Sequence, residues 1–134
     1  MIDSQKPNLL LVGAQSSIGQ HFLSLNLEEY YNVYSTHSRK SVLGQQNAEQ
    51  FCFELNLELA ESVESFLRQL EDISFDVVIL LIGKTSKFTM TSSNDLYSNY
   101  INTYIHNYSK MILGIVEMVV GREKDKVLFV NVSS

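Results

Sequence analysis

Three short apolar runs constrain this chain more than any other feature of it: Leu9-Leu10-Leu11-Val12, Val77-Val78-Ile79-Leu80-Leu81-Ile82 and Val127-Leu128-Phe129-Val130. None alternates apolar with polar, so none reads as a strand with one wet face. None approaches the roughly 20 apolar residues that cross a membrane. Short, continuous and rich in Val, Ile and Leu, they read as strands covered on both sides, as in a parallel sheet. Two weaker candidates lie between them, Asn32 to Ser35 around Val33-Tyr34, and the alternating stretch Phe51 to Leu55. The intervening pattern is helical. From Ser17, the residues Ile18, Phe22, Leu23 and Leu25 share a face, and from Ala60 to Leu70 the residues Val63, Phe66, Leu67 and Leu70 do so, with Ser62 as the expected N-cap. Asp95 to Val120 reads as one long helix or two shorter ones, Thr36 to Gln50 as a polar loop with room for a short helix, and Lys84 to Asn94 as a loop. Strands alternating with helices make βαβ units, whose crossovers are right-handed. The expectation is one α/β domain over residues 1–134, a doubly wound parallel sheet of about five strands in the order 3-2-1-4-5, with helices on both faces.

Composition agrees and excludes some classes. The chain has 134 residues, 45% hydrophobic and 19% charged, enough to bury a core without cross-links. Its net charge of −5 argues against nucleic acid as a partner. With no long apolar run, no membrane partner is expected either. Cys52 is the single cysteine, so no internal disulfide can form, and it reads as a small buried hydrophobe in a strand. The opening residues lack a basic-then-apolar leader pattern, and a cytoplasmic setting is the expectation. His21, His37 and His106 have no ligand spacing, so no metal is expected.

Ligands of open parallel sheets sit beyond the carboxyl ends of the strands. The stretch Gly13-Ala14-Gln15-Ser16-Ser17-Ile18-Gly19 occupies such an end, between the first strand and the first helix. Gly13 allows a tight turn, Gly19 allows the helix to pack close to the sheet, and the backbone N–H groups between them suit a pyrophosphate. Val12 to Gly19 resembles the Thr-Gly-x-x-x-Gly-x-Gly signature of short-chain dehydrogenases/reductases, a family with a Rossmann-like fold. Gly13 and Gly19 match its outer glycines, Ser17 stands at the middle one, and Val12 replaces the threonine. A serine at that point narrows the approach of the backbone to phosphate but can itself cap the helix or bond a phosphate oxygen.

The resemblance extends along the chain. NAD-binding members end the second strand with an acidic residue that holds the adenosine ribose. Here His37 falls at that place, followed by Arg39 and Lys40. A guanidinium can grip a 2′-phosphate through charge-assisted hydrogen bonds worth about 1.5–3 kcal/mol, so NADP is expected over NAD, with Arg39 as the main contact. The alternative is an ordinary solvated basic pair. Leu55-Asn56-Leu57 resembles the family's Leu-Asp-Leu, whose polar residue meets the adenine amino group; Asn56 could equally be a turn residue at a strand end. Asp76 to Gly83 resembles Asp-x-x-x-Asn-Asn-Ala-Gly, with Gly83 matching, Ile82 replacing alanine, and Leu80 and Leu81 replacing the asparagines. Val12 and Leu80 thus replace both ends of a polar link between neighbouring strands, an exchange that leaves nothing unsatisfied.

The family's chemistry uses a serine against the substrate oxygen, a tyrosine as general acid/base, a lysine that lowers the tyrosine pKa, and a helix asparagine that supports a proton-relay water. Asn131-Val132-Ser133-Ser134 resembles the serine motif, which makes Ser134 the candidate serine and Asn107 the candidate asparagine, with Asn102 fitting less well. No Tyr-x-x-x-Lys occurs in the sequence. Tyr97, Tyr100, Tyr104 and Tyr108 form a stripe at helical spacing, expected in a core or an interface. The resemblance therefore implies an NADP(H)-dependent oxidoreductase of a carbonyl or alcohol substrate, present as its nucleotide-binding part, incomplete or belonging to a longer enzyme. In the family the 95–120 helix often builds a subunit interface, so a homo-oligomer is implied. On the present sequence, Val127 to Val130 would be an apolar edge strand. The alternatives are a non-catalytic dinucleotide-binding or interaction module, to which Ser17, Val12, Leu80 and Leu81 point, and another doubly wound domain such as a methyltransferase, which His37 disfavours.

Overall fold

In the computed structural model, residues 4–13, 17–37, 52–81, 94–121 and 128–131 are described. Five strands, β1 (Asn8–Val12), β2 (Asn32–His37), β3 (Cys52–Glu54), β4 (Val77–Leu80) and β5 (Leu128–Asn131), form one sheet in the order β3-β2-β1-β4-β5, with every pairing parallel. The helices are α1 (Ser17–Leu23), α2 (Ala60–Leu70) and α3 (Asn94–Val120), with a 3-10 turn over Leu27–Glu29. The strand order reverses at β1, because the chain steps outward to β2 and β3 and then returns to the other side of β1 as β4. A crevice opens at such a reversal, at the carboxyl ends of the strands.

The apolar runs behave as strands covered on both faces. Leu10, Val12, Tyr34, Val78 and Leu80 point to one side, where α2 supplies Val63, Phe66 and Leu70 and α3 supplies Met111 and Ile115. Leu9, Leu11, Val33, Ile79 and Leu81 point to the other, against Phe22 and Leu23 of α1 and Leu27 and Tyr31 beyond it. Alternate residues of one strand thus feed two cores, as the period-2 geometry of a strand requires. Tyr34 lies parallel to Phe53 at 6.1 Å between ring centroids and edge-on to Phe75 at 5.3 Å. Tyr104 and Tyr108 stack at 6.3 Å and pack on the first core, so this part of the tyrosine stripe is half-buried packing surface. The side chains of Tyr97 and Tyr100 lie outside the described set.

Several local expectations change. The stretch Asn94–Val120 is one continuous helix of 27 residues. β2 runs on through Thr36 to His37 instead of ending at Ser35, because β3 offers it a second ladder, Thr36 opposite Phe53 and His37 opposite Glu54. α1 ends at Leu23, so Ile18 and Leu25 are about half exposed and only Phe22 and Leu23 of its apolar set reach the core. Ser62 is not the N-cap of α2, a place held by Leu59 without a side-chain bond. It lies inside the first turn, and its Oγ accepts a hydrogen bond from the Asn56 N–H at 2.8 Å. Cys52 is only part-buried, its Sγ 3.1 Å from Ser35 Oγ on the neighbouring strand. β3 and β5 are the two sheet edges among the described residues, and Leu128 and Phe129 of β5 are exposed.

A polar latch closes the amino ends of the central strands. Asp76 Oδ2 accepts from the Asn8 N–H at 2.8 Å, Asn8 Nδ2 donates to Ser74 O at 2.9 Å, and Asn32 Nδ2 donates to Asn8 Oδ1 at 2.9 Å. Between α2 and α3, Lys110 Nζ donates to Glu64 Oε1 at 2.7 Å. That bond, with the ammonium charge behind it, holds the Glu64 carboxyl below its ordinary range. The pair is exposed and contributes little to stability.

Candidate nucleotide-binding site

All the strands point the same way, so the residues that follow them collect on one rim of the sheet. Gly13 leaves β1 at φ +94°, a backbone conformation that L side chains rarely adopt. A Cβ there would lie 3.0 Å from Leu81 O and 3.1 Å from Leu81 C, both backbone atoms. The position therefore requires glycine twice over, for its dihedral and for the close approach of the segment leaving β4. Two bonds fix the turn. Leu81 N–H donates to Val12 O at 2.8 Å, and Gly13 N–H donates to Thr36 Oγ1 at 2.9 Å. The hydroxyl of β2 thus determines how the β1 turn leaves the sheet.

Val12 pairs in register with Leu80, and both are wholly buried. The two positions where the family motif would carry a polar link are adjacent apolar residues of one core, with no donor or acceptor left over.

One side of the rim is built from β2, β3 and the loop after β3. His37 ends β2 and is 1% exposed, and its backbone carbonyl accepts from Leu55 N–H at 2.9 Å. Asn56 is part-buried and forms a compact turn: its Oδ1 accepts from Glu58 N–H at 3.0 Å and its carbonyl from Leu59 N–H at 3.1 Å. Leu57 is buried next to it, and its carbonyl accepts from Asn107 Nδ2 at 2.7 Å.

The structure thus brings Gly13, His37, Asn56 and Leu57 to one rim, with the start of α1, Ser17, Ile18 and Gly19, following the Gly13 turn; Gly19 is buried and Ile18 exposed. Asn107 is set back from the rim in the middle of α3, 1% exposed, and reaches it through Leu57. Gln15, Ser16, Arg39, Ile82, Gly83 and Ser134 lie outside the described residues, as does the side chain of Ser17. Thr36 is the site residue that sequence reasoning missed. A β-branched hydroxyl residue one place before a strand end was the available signal, and placing the end of β2 at Ser35 hid it.

The chain has the Rossmann-type fold of short-chain dehydrogenases/reductases. It superposes on an actinorhodin polyketide ketoreductase crystallised with NADPH with a TM-score of 0.75 at 14% identity, over 100% of this chain and 55% of that one. A short-chain dehydrogenase from Streptomyces avermitilis matches with a TM-score of 0.74 at 16% identity, over 98% of this chain and 51% of that one. L-sorbose reductase from Gluconobacter frateurii, crystallised with NADPH and L-sorbose, matches with a TM-score of 0.67 at 14% identity, over 87% and 49%. The chain spans about half the length of these proteins. No family model matches the sequence, and no curated protein matches it. No helix among the described residues is long and apolar enough to cross a membrane.

Proposed function

We propose that this chain is the nucleotide-binding part of an NADP(H)-dependent oxidoreductase of the short-chain dehydrogenase/reductase type, acting on a carbonyl or alcohol in a cytoplasmic setting. The observation that carries the reading is the Gly13 turn. It leaves β1, the strand at which the order reverses, at a φ that L side chains rarely adopt and with the Leu81 backbone 3.0 Å from where a Cβ would stand. A turn this tight takes the chain straight from the end of β1 into α1, and the N–H groups at the start of a helix after the first strand of an open parallel sheet are where a diphosphate can be held.

Under this reading Gly13, Gln15, Ser16, Ser17, Ile18 and Gly19 hold the diphosphate. His37, buried at the end of β2, and Arg39 after it border the adenosine ribose, and the Arg39 guanidinium selects the 2′-phosphate. Asn56 and Leu57 border the adenine, and Ile82 and Gly83 flank the dinucleotide on the β4 side. When bound, the dinucleotide supplies a hydride equivalent for a carbonyl carbon. Ser134 would donate a hydrogen bond to the substrate oxygen, and α3 would offer its outer face to a second copy.

The test is a fluorescence titration with NADPH and NADH. Saturable binding with NADPH at least tenfold tighter is expected, and Arg39→Ala should remove most of that difference. Equal affinity for the two would overturn the NADP assignment, and no binding of either would overturn the site. A second reading, a non-catalytic dinucleotide-binding module, draws on the apolar Val12–Leu80 pair that stands where the family motif carries a polar link. Hydride transfer to any carbonyl by the whole protein would exclude it.

A further inference from the structure

We infer that Asn107 is a positioning residue for the adenine side of the dinucleotide site, acting through the backbone of Leu57; this rests on the dinucleotide reading above. Asn107 lies on the face of α3 that continues into Met111 and Ile115, both buried in the core. An amide in that row is costly unless it is bonded. Its Nδ2 makes a 2.7 Å hydrogen bond to Leu57 O, short for an N–H···O contact.

Leu57 belongs to the same turn as Asn56. Other bonds of the turn come from β2 or from residues near it in the chain: Leu55 N–H to His37 O, Asn56 N–H to Ser62 Oγ, Glu58 N–H to Asn56 Oδ1 and Leu59 N–H to Asn56 O. Asn107 alone among these partners comes from α3, 50 residues away in sequence. It ties the rim turn to the core helix and sets the plane of the Leu57 peptide, and with it the placement of Asn56. The family resemblance gives this asparagine a part in proton relay, yet here its side chain is engaged with the adenine-side turn.

The prediction separates the two halves of the cofactor. Asn107→Leu, with fold checked by circular dichroism, should weaken NADPH and 2′-phospho-ADP-ribose about tenfold each, because a buried carbonyl loses its donor. It should leave nicotinamide mononucleotide unchanged. Asn107→Asp places a carboxylate against the same carbonyl. Its affinity for 2′-phospho-ADP-ribose relative to wild type should be low at pH 8 and recover toward pH 5, as the acid protonates and its O–H donates to Leu57 O. A role confined to folding would move thermal stability without this pH profile.

On the unaltered chain, the Asn107 side-chain amide resonances should shift when 2′-phospho-ADP-ribose is added, which keeps the inference testable if a variant fails to fold. Folded variants that bind 2′-phospho-ADP-ribose like wild type, a loss confined to nicotinamide mononucleotide, or unmoved amide resonances in a chain that does bind would each overturn it. A wild-type chain that binds neither NADPH nor 2′-phospho-ADP-ribose would overturn the dinucleotide reading itself.

Discussion

Gly13 and Thr36 show how single residues shape the rim. Gly13→Ala would force a Cβ to within 3.0 Å of Leu81 O at a φ of +94°. The strain should cost about 1–3 kcal/mol, read as a lowered denaturant midpoint with unchanged slope, and NADPH binding should fall with it. An alanine variant as stable as wild type would show that the turn is less constrained than its geometry implies. Thr36→Val keeps the β-branched shape that suits a strand and removes the acceptor of the 2.9 Å bond from Gly13 N–H. Its expected cost is about 1 kcal/mol, and NADPH affinity should drop more than stability, because the bond orients the turn more than it holds the sheet. Neither effect could be argued from one residue alone: glycine at 13 is demanded by the backbone of Leu81, and threonine at 36 matters because the Gly13 amide faces it.

At the scale of elements, the contact between α2 and α3 is decided by Gly114. A Cβ at that position would come within 2.6 Å of Leu67 Cδ1. Alanine is favoured over glycine inside a helix by about 1 kcal/mol, whereas overpacking a core contact costs about 1–3 kcal/mol. The terminus of a leucine can turn aside, but here both Leu67 methyls lie within 2.8 Å of that Cβ and its Cγ within 3.3 Å, so more than one tip must move. Gly114→Ala should therefore destabilise the wild type modestly, and the same substitution in a Leu67→Ala background should be stabilising. A double-mutant cycle by urea denaturation measures this coupling, and additive effects would show that the helices adjust freely. The helix α3 was legible from its composition, and its length was not, since one helix and two helices have the same periodicity. Its continuity is seen only in the structure, as an unbroken helix over Asn94–Val120.

For the whole molecule, the pH dependence of stability follows from the buried phenols. Burial raises the pKa of Tyr34 and of Tyr108 above the ordinary tyrosine value of 10.0. A raised folded-state pKa means that the folded chain holds its protons more tightly than the unfolded one. The associated stability is present below about pH 10 and is lost as pH rises through the folded values. Denaturation between pH 8 and 11 should show this decline, and Tyr34→Phe combined with Tyr108→Phe should reduce it; an unchanged alkaline arm would mean that other groups control it. The fold class was readable in advance: three continuous apolar runs, the turn at Gly13 and the helix over Ala60–Leu70 imply an open parallel sheet with helices on both faces, and the resemblance to short-chain dehydrogenases/reductases implied the order β3-β2-β1-β4-β5 that the sheet has. Hydrophobic period and backbone sterics are local, so the chain alone determined which segments are strands, where the first turn must be glycine, and on which rim a ligand would sit. Only the tertiary structure decided that β2 continues to His37, that Ser62 serves Asn56 instead of capping its own helix, and that Asn107 holds the Leu57 carbonyl. Those outcomes depend on hydrogen-bond partners far apart in sequence, and a donor's choice of acceptor is settled when packing brings them together.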